Sequence, residues 1–239
     1  MIWFIVATLV AFFIKGLCGF ANTLIFNGIL SYTANNINIS PLEVVLGYPS
    51  NIILVWKERK SLNWKIWLPL TVLVVAGSIP GIFLLKHTDA GLLKVIFGIA
   101  VIVIGVEMLF RGLKSNRKSD GCKIVLVLIG IISGLLCGLY GVGALLAAYV
   151  SRVAENSHEF KANICVVFVV ENTIRIILYA ATGILTLAVL KQVVILIPFM
   201  LAAVFLGMKS SLVLNEKVIK KIVIVLLILS GIVLIINNL

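Results

Sequence analysis

The sequence predicts an all-α integral membrane protein made of two inverted repeats, each a broken re-entrant helical hairpin plus three transmembrane helices. Three observations carry that prediction. Of the 239 residues, 62% are hydrophobic and 12% charged, with a mean hydropathy of +1.22. Soluble domains run near half apolar and a quarter charged. A glycine-broken stretch, K-G-L-C-G-F-A-N at 15–22, returns as C-G-L-Y-G-V-G-A at 137–144, an offset of 122. Finally, the basic residues sort to one side of the membrane only if both broken stretches return to the side they entered from.

Six apolar runs suit crossings of about 30 Å of hydrocarbon: 42–57, 66–86, 91–110, 160–181, 188–207 and 218–236. Two more, 2–31 and 124–150, contain the glycine breaks. As straight helices they would measure roughly 40 to 45 Å at 1.5 Å per residue, too long for one crossing and too short for two. If each crossed once, one face would hold ten loop cations and the other eight. If each is a hairpin, the 151–161 and 208–221 loops change sides. The count becomes fifteen inside against three outside (Lys86, Lys94 and Lys191), with Lys15 and Arg175 at membrane depth. Positively charged loops favour the cytoplasm, so the hairpin arrangement is preferred, with both termini outside.

Each half then makes an odd number of crossings, and the halves must be inverted relative to one another. The first repeat spans 1–115 and the second 116–239, with the boundary in the polar link at 111–121, R-G-L-K-S-N-R-K-S-D-G. S-N at 50–51 matches E-N at 171–172, an offset of 121.

The net charge of +11 belongs to loops that meet anionic headgroups. No basic stripe carries interleaved aromatics, so nucleic acid is not an expected partner. The N-terminus lacks a charged n-region and an A-x-A-like site, so a cleaved signal peptide is not expected. Cys18, Cys122, Cys137 and Cys165 have neither metal nor disulfide spacing and read as small packing residues. Cys18 and Cys137, beside the breaks, are also open to a sulfur-handling role.

A helix broken at membrane depth leaves backbone groups that lipid cannot satisfy, so the break must line a protein-enclosed or watery cavity. The start of the following half-helix carries partial positive charge and free N–H groups, which suits an anion. Gly16 and Gly19 in the first stretch, and Gly138, Gly141 and Gly143 in the second, are the expected break positions. Close helix packing is their other use. Lys15 is placed to face an anion or to snorkel. Arg175 follows Glu171 by four residues, on one helix face. The pair is either a substrate cation with its tether or proton carrier, or an internal ion pair. Asn22 adjoins the first break. Asn51 and Asn172, at matching positions, would donate amide hydrogen bonds to an oxyanion or join helices. Tyr140, with Tyr48, adds hydroxyl donors.

No catalytic or metal-binding set is evident. His87, His158, Asp89 and Asp120 fall in loops. There is no H-E-x-x-H and no buried histidine pair for haem. A Ser or Cys nucleophile would lack a nearby base. No cofactor is implied.

The ordered motifs resemble one known family. G16-L-C-G-F-A-N22 and G134-L-L-C-G-L-Y-G-V-G143 are similar to the paired glycine signatures of the sulfite exporter TauE/SafE family. E58-R-K-S-L-N-W64 resembles its turn after the second helix. F160-K-A-N-I and R175-I-I-L-Y-A-A-T-G-I-L-T resemble its second-half pattern. Ala21 and Ala144 stand where the family usually has glycine, and Lys60-Ser61 replaces a basic–glycine pair. The resemblance implies a multi-pass carrier of the prokaryotic plasma membrane for small sulfur-bearing anions such as sulfite or organosulfonates, with export expected. Uptake of thiosulfate or another sulfur species is the alternative within transport. A non-transporting assembly protein is the alternative outside it. The expected partners are a small anion and the lipid bilayer, and homodimerisation is left open.

Overall fold

The computed structural model describes residues 1–30, 36–84 and 144–236, with isolated helical positions between 99 and 110. Most of the expected 91–110 helix, the 111–121 link and the second glycine stretch lie outside the described residues. Among the described residues the fold is all helical, without strands. The helices are α1 (Ile2–Cys18), α2 (Asn22–Leu30), α3 (Asn36–Glu58), α4 (Trp64–Leu84), α5 (Ala144–Val153), α6 (Ser157–Ala181), α7 (Leu187–Val213) and α8 (Glu216–Ile236). A short 3₁₀ turn, Arg59–Ser61, joins α3 to α4, where the sequence predicts a turn.

Three stretches among these, Ile39–Ser61, Ser157–Ala181 and Leu187–Val213, are long and apolar enough to cross a membrane. The long run at 2–31 is broken, as its glycines predict. At about 1.5 Å per residue, neither α1 with 17 residues nor α2 with 9 reaches 30 Å by itself. The two pieces pack on one another. Phe12 of α1 and Phe26 of α2 meet edge to face with centroids 6.4 Å apart.

α1 packs most extensively on α7, and glycines set the approach. A Cβ on Gly16 would overlap the Val204 carbonyl oxygen and lie 3.1 Å from Gly207 Cα. A Cβ on Gly207 would overlap the Phe13 carbonyl oxygen. Around this crossing Ala11, Phe12, Leu17, Met200, Ala203 and Val204 are buried, so apolar burial and close backbone approach reinforce each other.

α3 and α6 pack antiparallel. Ser40 Oγ lies 3.2 Å from Tyr179 Oη at one end. At the other, His158 Nδ1 lies 2.8 Å from Glu58 Oε2. Next to that end, Asn63 Nδ2 donates to Glu159 Oε1 at 3.0 Å, and the Asn63 N–H donates to Asn163 Oδ1 at 3.0 Å. Asn156 caps α6 by accepting from the Glu159 N–H. These contacts hold the start of α6 against the end of α3. Several expectations need correction here. His158, expected in a loop, lies in the first turn of α6, and of the cations counted in the 208–221 loop Lys209 lies within α7 and Lys217, Lys220 and Lys221 within α8. Lys161, counted in the 151–161 loop, lies within the second turn of α6, 1% exposed, with its aliphatic stem against Gly19.

Candidate functional site

Glycine and a strained alanine make the break. Gly19 ends α1 in the left-handed conformation at φ 87°, and its N–H bonds the Lys15 carbonyl at 2.6 Å. This is how glycine commonly closes a helix. The Gly19 carbonyl accepts from Cys165 Sγ at 3.3 Å, so α6 satisfies a group that lipid would leave bare. Two residues on, Ala21 also has positive φ, 72°, a conformation a side chain resists. It is the position where the resembling family usually carries glycine.

Beyond the break, the first turn of α2 opens on a buried polar cavity of about 20 Å³. That is room for about one water. From the break come Lys15, Phe20, Ala21, Asn22, Thr23 and Leu24; α3 adds Glu43 and Asn51; α6 adds Phe168, Glu171 and Asn172. Local chemistry on α3 helps shape the wall. Pro49 has no N–H to give the helix, and the neighbouring Ser50 Oγ bonds the Gly47 carbonyl at 2.7 Å. A Cβ on Gly47 would lie 3.3 Å from Glu43 Oε1, 3.4 Å from Asn172 Nδ2 and 3.6 Å from Asn22 Nδ2. The absent side chain lets those three polar groups converge.

Four buried charges meet here. Glu43 accepts from Asn22 Nδ2 and, at 2.9 Å, from Thr23 Oγ1. Its carboxylate therefore sits at the start of α2, where the half-helix favours negative charge. Lys15, 1% exposed, places its Nζ 5.8 Å from the Phe12 ring centroid. Arg175 donates to Ser40 Oγ at 3.0 Å and Tyr179 Oη at 2.9 Å, and its Nε lies 3.7 Å from Glu171 Oε1. Asn51 is the exception to all this pairing. Fully buried, it has no hydrogen-bond partner for either side-chain polar atom. Buried amides are almost always satisfied. Its two open positions point to a ligand.

Of the residues singled out in the sequence, Lys15, Asn22, Asn51, Glu171 and Asn172 share this one cavity. Gly19 is the hinge behind it. Arg175 stands next to it through Glu171, on the same helix. Gly16 lies elsewhere, on the α7 crossing, where it serves close packing. Gly138, Tyr140, Gly141 and Gly143 are outside the described residues. Cys18 is buried in the apolar core and not on the cavity wall. Glu43, Thr23, Gly47 and Phe168 are additions from the structure. Glu43 carries its own signal, an acid within the expected 42–57 span, because charge at membrane depth is by default a functional candidate. For Thr23 the sequence offers no signal beyond proximity to the break, and for Phe168 it offers none.

These features describe a multi-pass helical membrane protein with a charge-lined cavity at a broken helix. More particularly, the chain is a member of the sulfite exporter TauE/SafE family, whose profile matches residues 4–234. It is also similar to a protein of Cupriavidus necator described as "Probable sulfite/organosulfonate exporter TauE", at 25% identity over 155 residues. That alignment covers 63% of this chain and 59% of the relative, so the chain spans about three fifths of the length of the curated relative it matches. No solved structure matches the chain.

Proposed function

We propose that the protein is a secondary transporter, working as an exporter, of small sulfur-containing oxyanions such as sulfite or organosulfonates. The observation that carries this reading is the unpartnered Asn51 amide, facing a cavity that also holds Lys15 and the first turn of α2. In a member of this family, such a constellation suits an anion with several oxygens. The Asn51 amide, the Asn22 and Thr23 donors, Asn172 and the Lys15 ammonium would divide those oxygens among them. Arg175 would act on the anion through Glu171 or directly once the cavity widens.

Alternating access between inverted halves is part of the proposal. In its support, α4 and α7 begin 123 residues apart, close to the 122-residue offset of the two glycine stretches. The antiparallel packing of α3 on α6 is the relation inverted counterparts would have. The second glycine stretch, with Gly138, Tyr140, Gly141 and Gly143, would complete the site from the opposite face. The chain would lie in the prokaryotic plasma membrane with both termini outside, and it has no nucleotide-binding loop, so an ion or substrate gradient would drive it.

Thermal unfolding of the purified chain with sulfite, sulfate, thiosulfate, taurine, sulfoacetate and a non-sulfur anion tests the reading. A ligand held only by the folded state stabilises as its concentration passes Kd. Sulfite or a sulfonate should raise Tm in that manner. An assembly protein would show no shift with any of them, and that result would overturn the proposal.

A further inference from the structure

The anion position at the start of α2 already has an occupant. Glu43, reaching across from α3, takes the side-chain donors of both Asn22 and Thr23. We propose that Glu43 is a tethered stand-in for the substrate, and that a proton arriving on its carboxylate releases these donors, so that anion binding and proton uptake go together. This rests on reading the cavity as the anion site.

Two observations support it. The first is charge. Facing Glu43 are Lys15 from α1 and Glu171 and Arg175 from α6, with Tyr179 bonded to Arg175. From α2 come only the neutral Asn22 and Thr23, and the α7 cations Lys191 and Lys209 are exposed. With both acids ionised, the two carboxylates and two cations cancel. An incoming monoanion would leave one buried negative charge uncompensated, which is costly, and one proton restores neutrality. The second observation is space. The cavity, at about 20 Å³, takes a single water and is too small for a sulfur oxyanion. Withdrawal of the Glu43 side chain would vacate volume at the place where donors become free, beside the unpartnered Asn51.

Glu43 is assigned the proton rather than Glu171 because its partners are neutral and can turn to another anion. Glu171 instead stands 3.7 Å from the permanently charged Arg175. The step is one protonation: water on the entry side supplies the proton, the carboxylate becomes a neutral acid, and the anion takes its two donors.

Calorimetric titration of the full chain in detergent, with methanesulfonate and with sulfate, provides the test. Both anions keep their charge between about pH 5 and about pH 8. Repeating each titration in buffers of different ionisation enthalpy counts the protons taken up. The expected result is about one proton per methanesulfonate, with affinity falling about tenfold per pH unit where Glu43 is ionised in the empty protein. Glu43→Gln should bind with pH-independent affinity and no uptake, whereas Glu171→Gln should keep the uptake. Binding without proton uptake by the unsubstituted chain overturns the inference and leaves the anion site standing, whether or not Glu43→Gln folds. Uptake that persists in Glu43→Gln overturns it too. Failure of these anions and of sulfite to bind at any pH is a different result, and it removes the anion reading beneath.

Discussion

Arg175 Nε stands 3.7 Å from Glu171 Oε1, and neither atom has a hydrogen-bond partner, although both side chains are almost wholly buried. The guanidinium is held by Ser40 and Tyr179 instead. Removing one member of a buried charge pair strands the other, at a cost of about 3 kcal/mol. Arg175→Gln should lose about that much in an unfolding titration, and the double variant with Glu171→Gln should recover part of the loss. Strict additivity of the two changes would show that the pair does not interact.

Asn51 leads to the opposite expectation for stability. Its two orphaned polar atoms cost the folded state their desolvation, so Asn51→Leu should leave stability unchanged or raise it by about 1 kcal/mol. Anion affinity should fall at least about tenfold in the same variant. A large loss of stability would mean that Asn51 is helix-joining glue.

At the α1–α7 crossing, Gly16→Ala should cost about 2 kcal/mol through overpacking against the Val204 carbonyl. Gly183→Ala is the comparison. It adds a side chain at φ +71° with nothing within 4 Å, and should cost about 1 kcal/mol from backbone conformation alone. Equal costs would remove the packing explanation for Gly16.

Ala21→Gly reverses the strain at the break. Relief of the left-handed alanine, about 1 kcal/mol, outweighs the added freedom of glycine in the unfolded chain, about 0.5 kcal/mol. A small rise in Tm is expected, and a fall would show that the Ala21 methyl contributes packing.

Topology is open to direct measurement. Reporter fusions at position 155 should report the cytoplasm, and fusions at either terminus the outside. Agreement between 155 and the C-terminus would rule out the proposed orientation.

The break and several cavity-lining residues are legible in the sequence. Two glycines and a lysine in an over-long apolar run mark a break, and α1 ends there at Gly19. Asn51, Glu171 and Asn172 were legible because polar residues stand out in apolar helices. The pairing of Glu43 is not, since its partners come from a helix 20 and 21 residues earlier in the chain and only folding brings them together. Gly16 and Gly19 look alike as letters, yet one admits a neighbouring backbone and the other a left-handed turn. The position of Lys161 was hidden for another reason: counting loop charges treats any cation near the end of an apolar run as solvated.

The central claim is that this cavity carries a sulfur oxyanion across the membrane. Flux of labelled sulfite through proteoliposomes, comparing the unsubstituted chain with Asn51→Leu at equal incorporation, tests it most directly. The account predicts sulfite movement that saturates with concentration and drops at least about tenfold in the variant. Flux equal to that of protein-free vesicles, or flux unaffected by Asn51→Leu, would contradict it.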